Sequence, residues 1–283
     1  EHDMSWLLEG LSGRLLGSVS TQSRSAIERN KTQPVYEYIP VGNYYEEWAT
    51  HKTQVNKFSP VYNYQYMFGQ VGFDYVKNIN GIHNITGSIN ADMREVLDNF
   101  QLPEYTANIF VEGKYDYKNK YYAQAAINRS HLNRFAPGRR WGTFYAFGLG
   151  WDVTREDFMS DVDWVNKLKL RGTFGETGNG INRNEYFIWR QSYNDSGEDY
   201  RQGSGYTDLS GSVEKDNKLV NERISWERAH KLNLGFDANL FNNNLWISAD
   251  FYRDKYYDLR IARGKSIELI GLDYPNENIG KNL

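Results

Sequence analysis

The stretch KLNLGFDANLF, residues 231–241, alternates strictly between apolar and polar side chains. One face carries Leu232, Leu234, Phe236, Ala238 and Leu240. The other carries Lys231, Asn233, Gly235, Asp237 and Asn239. After three asparagines, residues 245–252 alternate in the same way. A period of two predicts a pair of antiparallel strands with chemically different faces. Both a soluble β-sandwich and an outer-membrane β-barrel have such strands.

Period-two patterns recur along the whole chain and predict nine strands. They lie at 7–20, 64–76, 82–93, 105–117, 121–129, 141–153, 167–176, 231–241 and 245–257. The connectors between them alternate in length, and this alternation separates the two candidate folds.

Every second connector is short. The short ones are 77–81, 118–120 and 242–244, with 154–166 of medium length, and the long ones are 21–63, 94–104, 130–140 and 177–230. Outer-membrane barrels have short periplasmic turns and longer outer loops, whereas a sandwich has no reason to sort its loops in this way. We therefore expect an all-β fold, an antiparallel transmembrane β-barrel, with 1–283 forming part of one barrel domain. Short connectors should lie at one end of the sheet and long ones at the other.

Aromatic residues on strand 141–153 fit the same fold. Trp141 and Trp151 share one face, and ten residues of tilted strand span about 25 Å, the height of a lipid-facing band. Such bands are flanked by aromatic side chains at both interfaces. The expected interface girdle comprises Trp141, Trp151, Tyr115, Tyr117, Tyr121 and Tyr122. The alternative is that these aromatics fill the core of a sandwich.

Composition excludes several functional classes. The 283 residues contain no Cys and carry a formal net charge of −3, so disulfides, thiolate chemistry and a nucleic-acid footprint are not expected. No run approaches the ~18 apolar residues of a membrane helix. The histidines show no metal-ligand spacing, and no cofactor site or catalytic cluster is found, so we expect neither enzyme activity nor a cofactor. The first twenty residues lack a signal-peptide pattern. The sequence begins without Met and ends within a turn-and-strand pattern, so we expect an internal piece of a longer protein.

The long connector at 177–230 contains the candidate binding residues. Within 186–206, aromatic rings are interleaved with charged and amide side chains, a combination that suits sugar rings or peptide backbone. The candidates for substrate or lid contact are Trp189, Arg190, Tyr193, Tyr200, Arg201 and Tyr206. The alternative is a loop that folds on itself or docks a partner protein.

Three sequence blocks carry a family resemblance. They are YYAQAAINRSHLNRFAPGRRWGTFYAFGLGW (121–151), KLKLRGTFGETGN (167–179) and SWERAHKLNLGFDANLFNNNLWISADFYRDKYYDL (225–259), with NIGKN at 278–282. In order and spacing they resemble the SusC/RagA family of TonB-dependent outer-membrane transporters of Bacteroidetes-type bacteria. The resemblance covers roughly 105–283. Family members have a plug domain and a barrel of about 22 strands, so this chain would be a partial barrel without the plug.

The resemblance implies a function for the whole protein. It implies import of oligosaccharides or peptides across the bacterial outer membrane, a SusD-like surface lipoprotein as lid, and energy from the TonB complex through a plug outside this chain. The alternative is a soluble, aromatic-rich β-sandwich that binds glycans. The two differ in which side chains face outwards. In a barrel, Leu232, Leu234, Phe236, Leu240, Ile247 and Phe251 face lipid, while Lys231, Asn233, Asp237 and Asp250 face the lumen.

Overall fold

The computed structural model describes residues 2–49, 52–99, 101–180, 186–191, 219–262 and 274–282, together with the backbone of four short strands between 193 and 215. Its strands are His2–Asp3 (β1), Leu11–Thr32 (β2), Val35–Ile39 (β3), Tyr44–Ala49 (β4), Lys52–Ile79 (β5), His83–Asp98 (β6), Glu104–Tyr117 (β7), Tyr121–Leu132 (β8), Trp141–Asp152 (β9), Val165–Asn179 (β10), Tyr193–Asn194 (β11), Tyr200–Gln202 (β12), Thr207–Leu209 (β13), Glu214–Lys215 (β14), Glu227–Leu240 (β15), Leu245–Ala262 (β16) and Asn276–Asn282 (β17). Two 3₁₀ turns, Val153–Arg155 and Asp157–Met159, follow β9.

Eleven strands form one sheet in the order β1-β2-β5-β6-β7-β8-β9-β10-β15-β16-β17. Neighbouring strands follow one another along the chain apart from short hairpins in the long connectors, which gives a meander. All nine predicted strands belong to this sheet, so the predicted all-β, antiparallel architecture is confirmed. No helix among the described residues is both long enough and apolar enough to cross a membrane.

The chain divides into two compact units. One contains Glu1–Gly17, Phe68–Arg94 and Glu104–Leu283, and the other contains Ser18–Met67 and Glu95–Pro103. The first unit holds most of the sheet and the short connectors. The second holds the hairpin β3–β4, which is a two-stranded sheet of its own.

Residues with a left-handed backbone conformation, at positive φ, form the short turns. Lys118 and Asn119, both with φ of 53°, are the central residues of the turn between β7 and β8, and Asn80 and Gly81, at 56° and 68°, turn the chain between β5 and β6. Positive φ at both central residues gives the turn twist that matches right-twisted strands, and Asn and Gly accept it at low cost. The Asn-rich and Gly-containing turns of the sequence therefore produce tight hairpins.

The short connectors lie together at one end of the sheet. The backbone N–H groups of Lys118 and Phe241 donate to the carbonyl oxygens of Ile82 and Trp164, both at 2.7 Å, and that of Asp152 donates to Lys120 at 2.8 Å. These hydrogen bonds join each short connector to the next one along the sheet, or to the strand residue beside it. This confirms the predicted grouping of the short connectors. The medium connector, whose first residues form the two 3₁₀ turns, belongs with them.

The predicted boundaries of the long connectors are wrong in one respect. Residues 21–63, expected as a loop, are mostly strand, because β2 continues to Thr32, β5 begins at Lys52 and a hairpin lies between them. The side chains of β2 beyond Arg14 are exposed on both faces. A strand with no buried face does not need alternating apolar residues, so the period-two search misses it.

The predicted sides of the β15–β16 hairpin agree with the structure. Thirteen consecutive pairs, from Arg228↔Tyr257 to Leu240↔Leu245, run without a register shift. Leu234 and Phe251, which pair directly, are 51% and 65% exposed. Phe236 and Ile247 are exposed as well, while Leu232 and Leu240 are partly buried. No second sheet within the described residues covers this apolar face, which contradicts the sandwich alternative.

Candidate functional site

An ion network lies on the polar face of β10, β15 and β16. Arg171 on β10 donates from both terminal nitrogens to Asp250 on β16, at 2.6 and 2.8 Å, and from Nε to Asp237 on β15 at 3.2 Å. Ser248 donates to the second oxygen of Asp237 at 2.7 Å. A bidentate guanidinium–carboxylate pair fixes both position and orientation. One arginine therefore links three neighbouring strands on the predicted lumen side.

Gly235 makes room for this network. A Cβ atom added there would lie 2.7 Å from Asp250 Oδ1 and 2.8 Å from Arg171 Cζ. The arginine side chain thus crosses β15 directly over the glycine backbone. Any side chain at residue 235 would force the ion pairs apart, which explains glycine inside a regular strand.

A second polar cluster lies near the opposite ends of these strands, away from the short turns. The carboxylate of Glu176, which is 7% exposed, accepts hydrogen bonds from Arg228 and Tyr257, and it lies 3.1 Å from His230 Nε2. Arg228 also packs over the ring of Phe144, 5.3 Å from its centroid. A buried carboxylate requires such partners. The cluster ties β10, β15 and β16 together where the long connector leaves the sheet.

A small apolar core lies at the same end. It consists of Leu132, Phe135, Phe144, Ile224 and Trp226, with Ile188 packed against it. The ring of Trp226 lies 5.3 Å from that of Phe135 and 5.5 Å from that of Phe144. Arg134, beside this core, is 4% exposed and pairs with Glu104 at 3.4 Å. Residues 186–191 are thereby attached to the sheet through a packed base.

The predicted binding residues are only partly described. Trp189 is half-buried, and its ring lies 6.3 Å from that of Phe187, with the exposed Arg190 guanidinium 5.1 Å away. Tyr193 lies in β11, and Tyr200 and Arg201 lie in β12, but their side chains are outside the described residues. Tyr206 lies outside them entirely. The substrate-contact role of these residues stays a prediction.

The aromatic girdle residues occupy both ends of the sheet. Trp141, at the start of β9, is 44% exposed and lies under Arg129 at 5.2 Å. At the short-turn end, Tyr115 and Tyr121 are 40% and 44% exposed, and Tyr117 stacks on Tyr121 at 6.3 Å. Their contact with a membrane interface stays a prediction.

Tyr122 does not agree with its predicted place in the girdle. Lys169 Nζ lies 4.0 Å from the centroid of the Tyr122 ring, and a Cβ added at Gly150 would lie 3.3 Å from Tyr122 Cβ. Both contacts place the ring on the polar face, opposite Tyr121, because successive strand residues alternate sides. The ring lines a hollow of about 420 Å³ floored by Gly148 and Gly150.

Glu156 connects the short connectors. Its carboxylate accepts hydrogen bonds from Lys120, from the Tyr121 hydroxyl at 2.6 Å and from Trp151 Nε1 at 2.8 Å. Led by Lys120 and Tyr121, these donors lower the pKa of Glu156 to about 2. Trp151, predicted as a girdle residue, is thus fixed by a polar partner at its indole nitrogen, as is usual for partly buried Trp.

Sequence reasoning missed the ion networks. The carboxylates of Asp237 and Asp250 were expected on the lumen side, but their partner Arg171 is more than sixty residues away in the chain. Only the register between β10 and β15, Arg171↔Gly235, brings them together. No group of three or more potential metal ligands occurs in the described part of the chain.

The chain forms a partial barrel with an exposed apolar face and an ion-paired polar face. These features define its class as an outer-membrane β-barrel protein. Residues 3–282 match the family described as TonB dependent receptor-like, beta-barrel. The chain belongs to this family and is located in the outer membrane.

Individual relatives agree with the family match. The chain is 29% identical over 212 residues to the TonB-dependent receptor P39 of Formosa agariphila, covering 64% of this chain and 19% of the relative. It is 31% identical over 147 residues to the TonB-dependent receptor SusC of Bacteroides thetaiotaomicron, covering 51% of this chain and 14% of SusC. The chain therefore spans less than a fifth of these relatives. The curated relatives are named as receptors, not enzymes.

Solved structures show the same fold. A chain of the RagAB peptide transporter superposes with a TM-score of 0.69 at 17% identity, covering 97% of this chain and 31% of that chain. The RagAB peptide importer in its open-open state gives a TM-score of 0.70 with the same coverage. At this identity the similarity concerns the fold.

Proposed function

We propose that the protein containing this chain imports oligosaccharides or peptides across the outer membrane. In this proposal a SusD-like lipoprotein covers the outer end of the barrel, and the TonB complex supplies energy through a plug outside this chain. Substrate passes through without any bond being broken, so the protein is not an enzyme.

The observation that carries the proposal is the polarity of the sheet. The apolar face exposes large side chains such as Phe147, Leu149 and Phe251 at 52%, 70% and 65%. The opposite face is lined by paired charges that centre on Arg171. Lipid on one side and a polar lumen on the other account for both faces, and a polar lumen suits the passage of a hydrophilic solute.

We further propose that the connector at 180–226 helps to recognise the substrate or the lid. Its packed base at Trp226 and Phe135 holds residues 186–191 against the sheet, and aromatic side chains supply contact area at low entropic cost. Trp189 and Arg190 are the described members of this candidate site, and Tyr193, Tyr200, Arg201 and Tyr206 are the others.

The experiment is an uptake assay with the full-length protein. Deletion of its gene should abolish growth on one class of oligosaccharide or peptide, and reintroduction of the gene should restore growth only in cells with a functional TonB complex. The lipoprotein encoded beside the gene should co-purify with the barrel from outer membranes. Unchanged growth of the deletion strain on both nutrient classes would contradict the proposal.

A further inference from the structure

A hollow on the apolar face of the sheet lies near the short-turn end. Its volume is about 590 Å³, and the larger side chains around it are Tyr115, Tyr121, Leu149, Trp151, Leu170 and Leu234. Ala123 and Gly172 also line it, and they pair with Leu149 from its two sides, Ala123 on β8 and Gly172 on β10. Because neither small residue fills the space beside Leu149, this face has a recess between aromatic and aliphatic walls.

Lipid covers this face of the sheet. The chain is located in the outer membrane, and the hollow lies among the exposed side chains of the apolar face, which is the outer side of the barrel wall. In a closed barrel, further strands pair with the edge strands β1 and β17, and a plug lies in the lumen. Neither would cover the outer side of β8, β9 and β10. The hollow is therefore open to the membrane, whatever else the full-length protein contains.

Two lysine ammonium groups lie beside the aromatic rings at the turn end of the hollow. Lys120 Nζ is 5.6 Å from the centroid of the Tyr121 ring and forms an ion pair with Glu156. Lys118 Nζ is 5.5 Å from the centroid of the Tyr117 ring, which stacks on that of Tyr121. Lys118 is exposed and forms no ion pair with a carboxylate in the described part of the chain. An unpaired ammonium group at the level of an aromatic girdle suits the phosphate of a lipid headgroup.

We propose that the hollow and Lys118 together bind one phospholipid of the periplasmic leaflet. One acyl chain lies in the recess beside Leu149, and the phosphate forms an ion pair with Lys118. The short turns mark the periplasmic end of such barrels, and the lipids of that leaflet are phospholipids, whereas lipopolysaccharide occupies the outer leaflet. Lipid tails are apolar everywhere on the barrel wall, so the recess holds one chain through packing contacts. The inference depends on the location of the chain in the membrane and not on its proposed transport function.

Native mass spectrometry of the full-length protein tests this site. The protein is purified in detergent and incubated with mixed micelles that contain phosphatidylglycerol, and the bound phospholipid molecules are counted. The wild type should retain one phospholipid molecule more than Ala123→Phe, in which the added ring fills the recess. Lys118→Asn should lower the affinity for phosphatidylglycerol about fivefold, which is the effect of one lysine beside an anionic headgroup. Asparagine also accepts the positive φ of residue 118, so this variant keeps the turn.

Each of these variants has a matched control. Ala125→Phe adds the same ring on the same face of β8 but outside the hollow, and Lys167→Asn removes an exposed lysine from the same end of the sheet on its polar face. Both controls should bind phospholipid as the wild type does. Unchanged binding in either Ala123→Phe or Lys118→Asn, or retention of lipopolysaccharide instead of phospholipid, would overturn the inference. So would a wild-type dimer without bound phospholipid that is lost in Ala123→Phe, because a second copy would then occupy the hollow.

Discussion

Replacement of Leu234 by Arg tests the lipid-facing side of the sheet. Leu234 lies six residues from Leu240, where β15 ends at a short turn. At ~3.3 Å per residue and a tilt of ~40°, it is about 15 Å from that turn, close to the middle of an apolar band roughly 25 Å tall. An arginine there should cost about 2–4 kcal/mol.

Two quantities are compared between Leu234→Arg and Thr173→Arg. The first is the amount of folded barrel recovered from outer membranes, and the second is the free energy of unfolding by denaturant in lipid vesicles. Thr173 pairs with Asn233, next to Leu234, and lines the hollow on the polar face. The control substitution therefore places the same charge at the same depth on the opposite side, where we expect a cost under about 1 kcal/mol. Equal losses of stability in the two variants would refute the assignment of the faces.

Three further substitutions test the networks and the candidate site. Gly235→Val should disrupt the ion network on β15 and cost about 1–3 kcal/mol in unfolding free energy, because the added side chain overlaps the charged groups. Glu156→Gln should lower stability at pH 7. The pKa of Glu156 is depressed to about 2, so its stabilising effect is complete above the unfolded pKa near 4.5 and is lost as the pH falls through about 2. Joint replacement of Trp189, Tyr193 and Tyr200 by Ala should impair nutrient uptake, since truncation of one aromatic anchor costs about 2 kcal/mol or more.

Each of these substitutions has a matched control or a contradicting result. Gly113→Val adds a side chain on β7 where nothing lies within 4 Å, and an equal loss in both valine variants would show that Gly235 has no special role. Asp161→Asn removes an exposed carboxylate from the same connector as Glu156. A pH profile shared by these two variants would contradict the special position of Glu156. Uptake unchanged after the triple replacement, normalised to barrel abundance, would assign that loop to packing.

Local pattern predicted the strands that have one apolar face. In 231–240 and 245–252 the two faces differ in polarity, and turn residues with positive φ mark the hairpin between them. The part of β2 from Thr21 to Thr32 could not be found in this way, because its two faces are both exposed. Tyr122 was assigned to the girdle by its proximity to the turn, whereas its parity already placed it with Gln124 on the polar face.

The polar sites depend on register rather than local sequence. Arg171, Asp237 and Asp250 lie on three strands, and their contact follows from pairings across a connector of nearly fifty residues. The buried Glu176 likewise meets Arg228 and Tyr257 only after assembly of the sheet. The sequence could indicate that each side chain faces the lumen or the loop end, but it could not indicate which partner each one meets.

Labelling of single cysteines along β15 is the most direct test of a membrane-spanning strand. The chain contains no Cys. With any cysteine outside this chain replaced by serine, cysteines placed in turn at Asn233, Leu234, Phe236 and Asp237 of the full-length protein report one position each. Spin labels attached to them should show a period of two. Labels at Leu234 and Phe236 should collide often with oxygen dissolved in the lipid. Labels at Asn233 and Asp237 should collide rarely with oxygen and should be accessible to a water-soluble relaxation agent. Equal exposure of all four labels to a water-soluble relaxation agent would contradict a strand with one face in lipid.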